Sequence, residues 1–352
     1  MRAKDHSNFF WHKILGFVSN TRQPLLRKGV DVSVISVQNL RKSYGKMEAL
    51  RGVSLDVEPK QIYGLLGQNG AGKSTIIKIL LGIVNKTDGE ATLLGEDAGN
   101  ANVRKRVGYL PEDHQFPAYH TGRSLMHFYG ELYGLSRPER TKRMNEAFDI
   151  VGLAKRADNK VKTYSKGMKQ RLGIAQSFFH DPEVIFLDEP TDGVDPVGRK
   201  EIRDLLGTLR DEGRTIFVNS HLLAEVQLMA DRVAVIHKGE LMREGSVEEL
   251  TRQTDRFELG LAPGQTFPTK EVGDLGYKLT MADGLAQVVL NEGQGIDPVL
   301  EFLWQRGLKL RHLMEKKQSL EGLFVDIVER EDKDIPKAVR MARKADMREE
   351  RQ

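Results

Sequence analysis

The sequence predicts an α/β domain followed by a small α+β unit, and three observations support this fold class. Apolar segments of strand length alternate with helical segments from residue 35 to residue 253. Several strands are continuously apolar, as expected of strands covered on both faces. A glycine-rich loop lies between one such strand, Ile62–Leu66, and the apolar helical segment Thr75–Leu81. The length of 352 residues allows one large domain and a smaller one.

Eight segments of this first domain have the length and pattern of strands. They are Val37–Tyr44, Ser54–Val57, Ile62–Leu66, Ala91–Leu94, Val107–Leu110, Val184–Leu187, Thr215–Val218 and Val233–His237. From about residue 112 to 181 the pattern is helical, most clearly in Ser124–Leu132 and Pro138–Val151. Ser136 and Glu139 have the spacing of a capping box before the second helix. A helical insertion therefore interrupts the α/β core.

The rest of the chain is predicted as a small domain with an extension at each end of the chain. Residues 254–330 contain a hairpin turn at Ala282-Asp283-Gly284 and a helix with Asp297 as its N-cap. Residues 1–34 are either a locally packed arm or a short amphipathic helix on a membrane surface or partner. Residues 331–352 mix both charge signs, which indicates a solvated tail or a helix that binds a partner. The strands of the small domain are Phe257–Leu261, Tyr277–Met281 and Ala286–Leu290.

Composition narrows the functional classes. The net charge is only +4 and no segment concentrates basic residues, so nucleic acid is not an expected partner. The absence of cysteine excludes disulfide scaffolds and zinc–thiolate sites. No segment approaches the roughly 18–20 apolar residues that cross a bilayer, and the N-terminus lacks the pattern of a signal peptide. If the protein serves a membrane process, a separate chain is expected to cross the membrane.

A phosphate-binding loop is predicted where the spacing G-x-x-x-x-G-K-[ST] occurs between a strand and a helix. The residues are Gly67, Gln68, Asn69, Gly70, Ala71, Gly72, Lys73, Ser74 and Thr75. The glycines let backbone N–H groups converge on phosphate oxygens, and the helix N-terminus adds positive potential. We expect Lys73 to bridge the β- and γ-phosphates and Ser74 to ligate Mg²⁺. ATP and Mg²⁺ are the predicted ligands.

Two carboxylates follow the apolar strand Val184–Leu187. Neighbouring strand residues point in opposite directions, so Asp188 and Glu189 are expected to have different roles. We expect Asp188 to hold Mg²⁺, through water, and Glu189 to orient the attacking water as a general base. After a phosphate-binding loop, this pair predicts nucleotide hydrolysis.

Residues 35–253 resemble the nucleotide-binding domain of ATP-binding cassette proteins, whose core is a P-loop NTPase fold with a helical insertion. The distinguishing residues are Tyr164-Ser165-Lys166-Gly167-Met168, here called the signature segment. They are similar to the family's Leu-Ser-Gly-Gly-Gln, although Tyr164, Lys166 and Met168 depart from it. In the family this helix start contacts ATP held by the opposite subunit. The resemblance therefore implies that Ser165, Lys166 and Gly167 bind ATP across a dimer.

Three further positions follow the family in order, and a fourth, Glu112, departs from it. Tyr44 matches the aromatic residue that stacks on adenine. Asp195 matches the loop that joins the two active sites, and His221 matches the histidine that touches the γ-phosphate and takes part in catalysis. Glu112 stands where the family usually has Gln, in the loop that senses Mg²⁺. A carboxylate can still coordinate Mg²⁺, so Glu112 is a predicted metal ligand.

The resemblance implies an ATPase subunit that powers a separate polytopic membrane permease from the cytoplasmic face of the cell membrane. A second nucleotide-binding subunit, identical or different, would complete each site. The signature segment and residues 319–324 resemble those of export-type subunits. One alternative is a cassette ATPase that acts on ribosomes or DNA, which the single cassette and short insertion disfavour. The other is a regulatory nucleotide-binding module, which Asp188, Glu189 and His221 disfavour.

Overall fold

The computed structural model of the protein describes residues 33–251, 256–291, 293–316 and 319–334. The predicted N-terminal helix and residues 335–352 of the charged tail lie outside the described residues. The chain divides into two compact units, Met1–Ser246 and Val247–Gln352. The sequence places this boundary between residues 253 and 254. The division falls earlier because the helix Val247–Thr251 packs against a later helix of the second unit.

The first unit contains ten strands and seven α-helices among its described residues. The strands are β1 Ile35–Tyr44, β2 Met47–Val57, β3 Ile62–Leu66, β4 Asp88–Leu93, β5 Glu96–Asp97, β6 Val107–Leu110, β7 Val184–Asp188, β8 Thr215–Ser220, β9 Arg232–His237 and β10 Glu240–Ser246. The helices are α1 Lys73–Leu80, α2 Ala101–Arg104, α3 Gly122–Leu132, α4 Arg137–Ile150, α5 Lys166–Phe178, α6 Pro196–Asp211 and α7 Leu223–Gln227, with two 3₁₀ turns at Ala154–Arg156 and Val161–Thr163.

The main sheet of the first unit has the strand order β10-β9-β3-β8-β7-β6. All neighbours are parallel except β10, which runs antiparallel to β9. Every residue of β3, β7 and β8 is buried, which explains why these strands are almost continuously apolar. The predicted α/β class is confirmed. The carboxyl ends of β3, β8 and β7 lie side by side at one edge, where α/β folds place their ligands.

The second sheet of this unit is antiparallel, with the order β2-β1-β4-β5. Its buried residues, among them Ile35 and Leu55, join Tyr63 and Phe186 of the main sheet in one apolar core. Four residues of α1 belong to the same core, namely Ile76, Ile77, Ile79 and Leu80. The core therefore fixes the helix whose first residue is Lys73.

The helical insertion consists of α3, α4, the two 3₁₀ turns and α5. The predicted capping box before α4 is wrong, because the Ser136 side chain accepts no capping hydrogen bond. Glu139 instead forms an ion pair with Arg143, one turn further on, at 2.9 Å. A capping box does occur at α3, where Thr121 and Ser124 each accept from the other's backbone N–H. No helix in the described part of the chain is both long and apolar enough to cross a bilayer.

The second unit contains a four-stranded antiparallel sheet and four helices among its described residues. The strands are β11 Arg256–Leu261, β12 Lys278–Ala282, β13 Leu285–Val289 and β14 Leu310–Glu315, in the order β12-β13-β11-β14. The helices are α8 Val247–Thr251, α9 Thr269–Asp274, α10 Asp297–Gln305 and α11 Leu320–Asp334. The predicted hairpin turn lies between β12 and β13, with φ of 51° at Asp283 and 79° at Gly284. The predicted N-cap is off by one residue, because Ile296 occupies that position and Asp297 begins the helix.

Candidate active site

The loop between β3 and α1 curls tightly, and three of its glycines are required by its geometry. A Cβ at Gly67 would overlap the carbonyl oxygen of Ile236. Gly70 and Gly72 have φ of 82° and 108°, a region that other residues rarely adopt. Since α1 begins at Lys73, the loop leads directly into a helix N-terminus, which carries a positive partial charge. The predicted phosphate-binding loop thus has the backbone that anion binding needs.

The Lys73 side chain is held by backbone carbonyl groups of this loop. The side chain is buried, and its Nζ donates to the carbonyl oxygens of Gly67 at 2.7 Å and Gln68 at 3.2 Å. Burial lowers the pKa of Lys73, and the charges of Glu189, Asp188 and Glu112 oppose this shift. The ammonium group therefore lies in the field of three carboxylates, where a bound phosphate would compete for it.

Ser74, Asp188 and Asn219 form a cluster of oxygen and amide groups beside Lys73. The Ser74 hydroxyl donates to Asp188 Oδ1 at 3.4 Å, and Asn219 Nδ2 donates to Ser74 Oγ at 3.3 Å and to Asp188. The buried Oδ1 of Asn219 has no hydrogen-bond partner among the described residues. Sequence reasoning missed Asn219. Its signal was a polar residue near the carboxyl end of the strand that adjoins β7.

The pKa of Asp188 is raised. Burial raises its pKa to about 6, and the charges of Glu112 and Glu189 act in the same direction. The hydrogen bonds from Ser74 and Asn219 favour the charged form and oppose the shift. The two hydrogen bonds described for this carboxylate come from neutral donors, so a bound cation would favour its charged form.

Glu189 is fixed in both its backbone and its side chain. Its φ is 53°, and its backbone N–H donates to the carbonyl oxygen of Asn219 at 2.9 Å. Oε1 accepts from the His221 N–H at 3.0 Å and lies 2.9 Å from His221 Nδ1. Oε2 accepts from the Ser220 hydroxyl at 3.1 Å. Asp188 and Glu189 thus point to different partners, and Ser220, which the sequence analysis did not single out, orients the second of them.

The signature segment forms the start of α5. Ser165 is the N-cap, and its hydroxyl accepts from the Met168 N–H at 3.2 Å. An added Cβ at Gly167 would meet nothing within 4 Å, so the backbone there is open to approach. Asp195 caps α6 by accepting from the Gly198 N–H at 2.7 Å.

The signature segment lines a cavity that does not include the phosphate-binding loop. Ser165, Lys166, Gly167 and Asp195 share a cavity of about 490 Å³. In the described part of the chain, no hydrogen bond or ion pair joins Ser165, Lys166 or Gly167 to residues 67–75. One chain therefore presents two separate groups of predicted ATP ligands.

Tyr44 and Glu112 lie at the surface. Tyr44 ends β1 with 43% of its area exposed, and Lys42 Nζ lies 4.8 Å from the ring centroid. Glu112 follows β6 and is exposed; it acts on Lys73 and Asp188 through its charge. Neither position makes a contact in this structure that assigns its role.

Comparison with known proteins identifies the family. Residues 50–192 match the model of the ABC transporter family. An uncharacterised ABC transporter ATP-binding protein of Nostoc is 35% identical over 87% of this chain and 93% of its own length. The chain belongs to the ABC transporter ATP-binding proteins. The bacitracin transport ATP-binding protein of Bacillus licheniformis is 32% identical over 84% of this chain and 97% of its own length.

Two further comparisons each cover a little over three fifths of the chain. An uncharacterised ABC transporter ATP-binding protein of Synechocystis is 42% identical over 62% of this chain, and the match spans 63% of that relative. A solved structure described as the ATP-binding subunit of an ABC transporter has a TM-score of 0.58 and 26% identity, covering 63% of this chain and 93% of that one. The predicted P-loop fold is confirmed, and the protein is an ATP-binding subunit whose ATP hydrolysis is coupled to transport.

The raised pKa of Asp188 predicts that Asp188→Asn stabilises the nucleotide-free protein at neutral pH. The folded chain holds the Asp188 proton more tightly than the unfolded chain. The favourable contribution of this carboxyl group to the stability of the folded chain is therefore complete below pH 3.8 and is lost as the pH rises through about 6. At pH 7.5 the buried charge costs up to roughly 3 kcal/mol, which asparagine removes while keeping the same shape.

Calorimetry without nucleotide or Mg²⁺ measures this effect. We expect the melting temperature of Asp188→Asn to exceed that of the parent by several degrees at pH 7.5, with the difference shrinking towards pH 4. The exposed Asp211→Asn is the matched control and should show no such pH-dependent gain. A destabilised Asp188→Asn at pH 7.5 would contradict the prediction.

Proposed function

We propose that MgATP binds between the phosphate-binding loop of this protein and the signature segment of a second nucleotide-binding subunit. The separation of the two ligand groups within one chain carries this proposal. Lys73, Ser74 and Glu189 belong to one group, and Ser165 and Gly167 belong to the other. Each group offers only part of the contacts that a nucleoside triphosphate needs, so two subunits in head-to-tail contact would form two complete sites. Because this chain contains both halves, two identical copies suffice.

The donors beside Lys73 fit Mg²⁺. Ser74, Asp188 and the partnerless oxygen of Asn219 are hard oxygen groups, the ligand type that Mg²⁺ prefers. Ser74 and Asp188 would hold the ion, Asp188 through water, and Glu112 would add a carboxylate from the loop after β6. When bound, Mg²⁺ supplies positive charge to the β- and γ-phosphates.

Hydrolysis would depend on positioning by the residues of the chain. Lys73 would exchange its two loop carbonyls for phosphate oxygens, and residues 67–75 would surround the phosphates with N–H groups and the Ser74 and Thr75 side chains. Glu189, whose carboxylate is already oriented by Ser220 and His221, would accept a proton from the attacking water. The His221 ring is 42% exposed and would reach the γ-phosphate. Tyr44 would stack on the adenine.

Membership of the family implies a separate membrane permease as the partner. We propose that the protein docks on this permease as a peripheral subunit at the cytoplasmic face of the cell membrane. We also propose export as the direction of transport, from the resemblance of the signature segment and residues 319–324 to export-type subunits. The named relatives are transport proteins, which disfavours a cassette ATPase that acts on ribosomes or DNA.

A pull-down from detergent-solubilised membranes tests the transport assignment. The bait is the Glu189→Gln variant of the full chain, loaded with ATP. We expect recovery of a polytopic membrane protein that is lost when Lys73→Met replaces Glu189→Gln. Recovery of ribosomes or DNA-bound proteins, without a membrane protein, would overturn the assignment.

A further inference from the structure

An ion pair joins the signature segment to the loop that follows the catalytic carboxylates. Lys166 Nζ lies 2.7 Å from Asp192 Oδ2. The Lys166 stem lies across Gly193, where an added Cβ would overlap it and where φ is 66°. The side chains of Lys166 and Asp192 remain 65% and 51% exposed. The pair is therefore formed at the open surface of the cavity that Ser165 and Gly167 line.

The loop that carries Asp192 also holds the predicted general base. The Asp192 backbone N–H donates to the carbonyl oxygen of Glu189 at 3.2 Å. The same carbonyl oxygen accepts from Gln170 Nε2, in the helix that begins with the signature segment, at 3.1 Å. On the other side, Arg199 Nε donates to the carbonyl oxygen of Val194 at 2.9 Å. The start of α5 and the backbone of Glu189 therefore meet at this loop.

The charges around Asp192 come from two sides. The hydrogen bond from Lys166 is the largest cause that lowers the pKa of Asp192, and the charge of His221 lowers it further. Asp192 thus lies within the electrostatic influence of both a signature residue and a residue that contacts Glu189. No other carboxylate in the described part of the chain forms an ion pair with Lys166.

A carboxylate is a weaker ligand for an exposed ammonium group than a nucleotide phosphate. Exposed lysine–carboxylate pairs are worth no more than about a fivefold factor in an equilibrium. A terminal phosphate carries more charge, and at a helix N-terminus it also gains the backbone N–H groups. If ATP of a second subunit approaches the signature segment, Lys166 can change partners at little cost.

We propose that Asp192 and the ATP phosphate of the second subunit compete for Lys166, so that the Lys166–Asp192 pair sets the ATP concentration at which two subunits associate. The inference rests on the proposed head-to-tail arrangement. When Lys166 changes its partner to the phosphate, the Asp192 side chain loses its ion pair, while the Asp192 backbone N–H lies within one hydrogen bond of the Glu189 carbonyl oxygen. Nucleotide bound at one site thereby influences the general base of the other site in the same chain.

The test measures the ATP concentration for half-maximal dimer formation in the full-length Glu189→Gln protein, by analytical ultracentrifugation. Asp192→Asn removes the competitor and should lower this concentration about two- to fivefold. Lys166→Met removes the shared ligand and should raise it. Lys166→Arg restores the positive charge and should recover part of the association that Lys166→Met loses. Asp158→Asn breaks an exposed pair with Arg123 elsewhere in the insertion and is the control without effect.

The direction of the two shifts decides the inference. If the pair is only structural, Asp192→Asn and Lys166→Met will shift the ATP concentration for half-maximal dimer formation in the same direction. That result would overturn the competition. An effect of Asp192→Asn that persists in the Lys166→Met background would also overturn it, because no ligand remains to compete for. If the Glu189→Gln parent forms no dimer at any ATP concentration, the head-to-tail proposal itself fails, and the inference fails with it.

Discussion

Glu189→Gln is expected to lower ATP turnover by about 10²–10⁴-fold while ATP binding is retained. An amide keeps an oxygen that accepts from the His221 N–H, and the Ser220 hydroxyl can turn to accept from the new NH₂ group. The left-handed backbone at residue 189 is unchanged, because both side chains have the same shape. The variant loses only the capacity to take a proton from water.

Phosphate release and nucleotide binding are measured on the same preparation. Glu183→Gln is the matched control, since Glu183 lies just before the other end of β7 and pairs with Arg106 at the surface. We expect its turnover to stay within about twofold of the parent, the range of an exposed ion pair. Turnover near the parental rate in Glu189→Gln would remove Glu189 from the role of general base.

The sequence predicts best where local pattern and burial agree. β3 has the predicted bounds and β7 differs by one residue, because strands covered on both faces are continuously apolar. The phosphate-binding loop is predictable because its spacing places glycine where the backbone excludes other residues, as at Gly67 and Gly72. The sequence does not predict β5, β10 and β14, because nearly all of their residues are exposed or half-buried and they lack such an apolar pattern.

The residues that support the two carboxylates come from distant parts of the chain, so no local sequence pattern predicts them. Asn219 and Ser220 reach the carboxylates because β8 lies beside β7, although they follow them by about thirty residues in the chain. Gln170 reaches Glu189 from a helix of the insertion. The resemblance supplied the main ligands, but it did not supply these supports. For the same reason the pairing of Lys166 with Asp192 becomes visible only when the insertion is placed beside the loop after β7.

Lys73→Met is expected to weaken ATP binding by about 10- to 100-fold, the range of hydrogen bonds to charged groups. Turnover should fall by about 10²–10³-fold, because the cation that faces the developing charge is lost. Methionine fills a similar volume in a site where Lys73 is only 5% exposed, so the fold should be kept. The carbonyl oxygens of Gly67 and Gln68 lose their shared donor, which loosens the loop in addition.

Thermal unfolding with and without MgATP separates binding from folding. A ligand raises the melting temperature according to its concentration relative to its dissociation constant, so Lys73→Met should lose most of the shift that MgATP gives the parent. Lys78→Met changes an exposed lysine of the same helix and should keep the full shift. If Lys73→Met kept the parental shift and turnover, the phosphate would have to be held by the loop N–H groups alone. Lys73 would then be a structural residue that ties the loop together through its two carbonyl contacts.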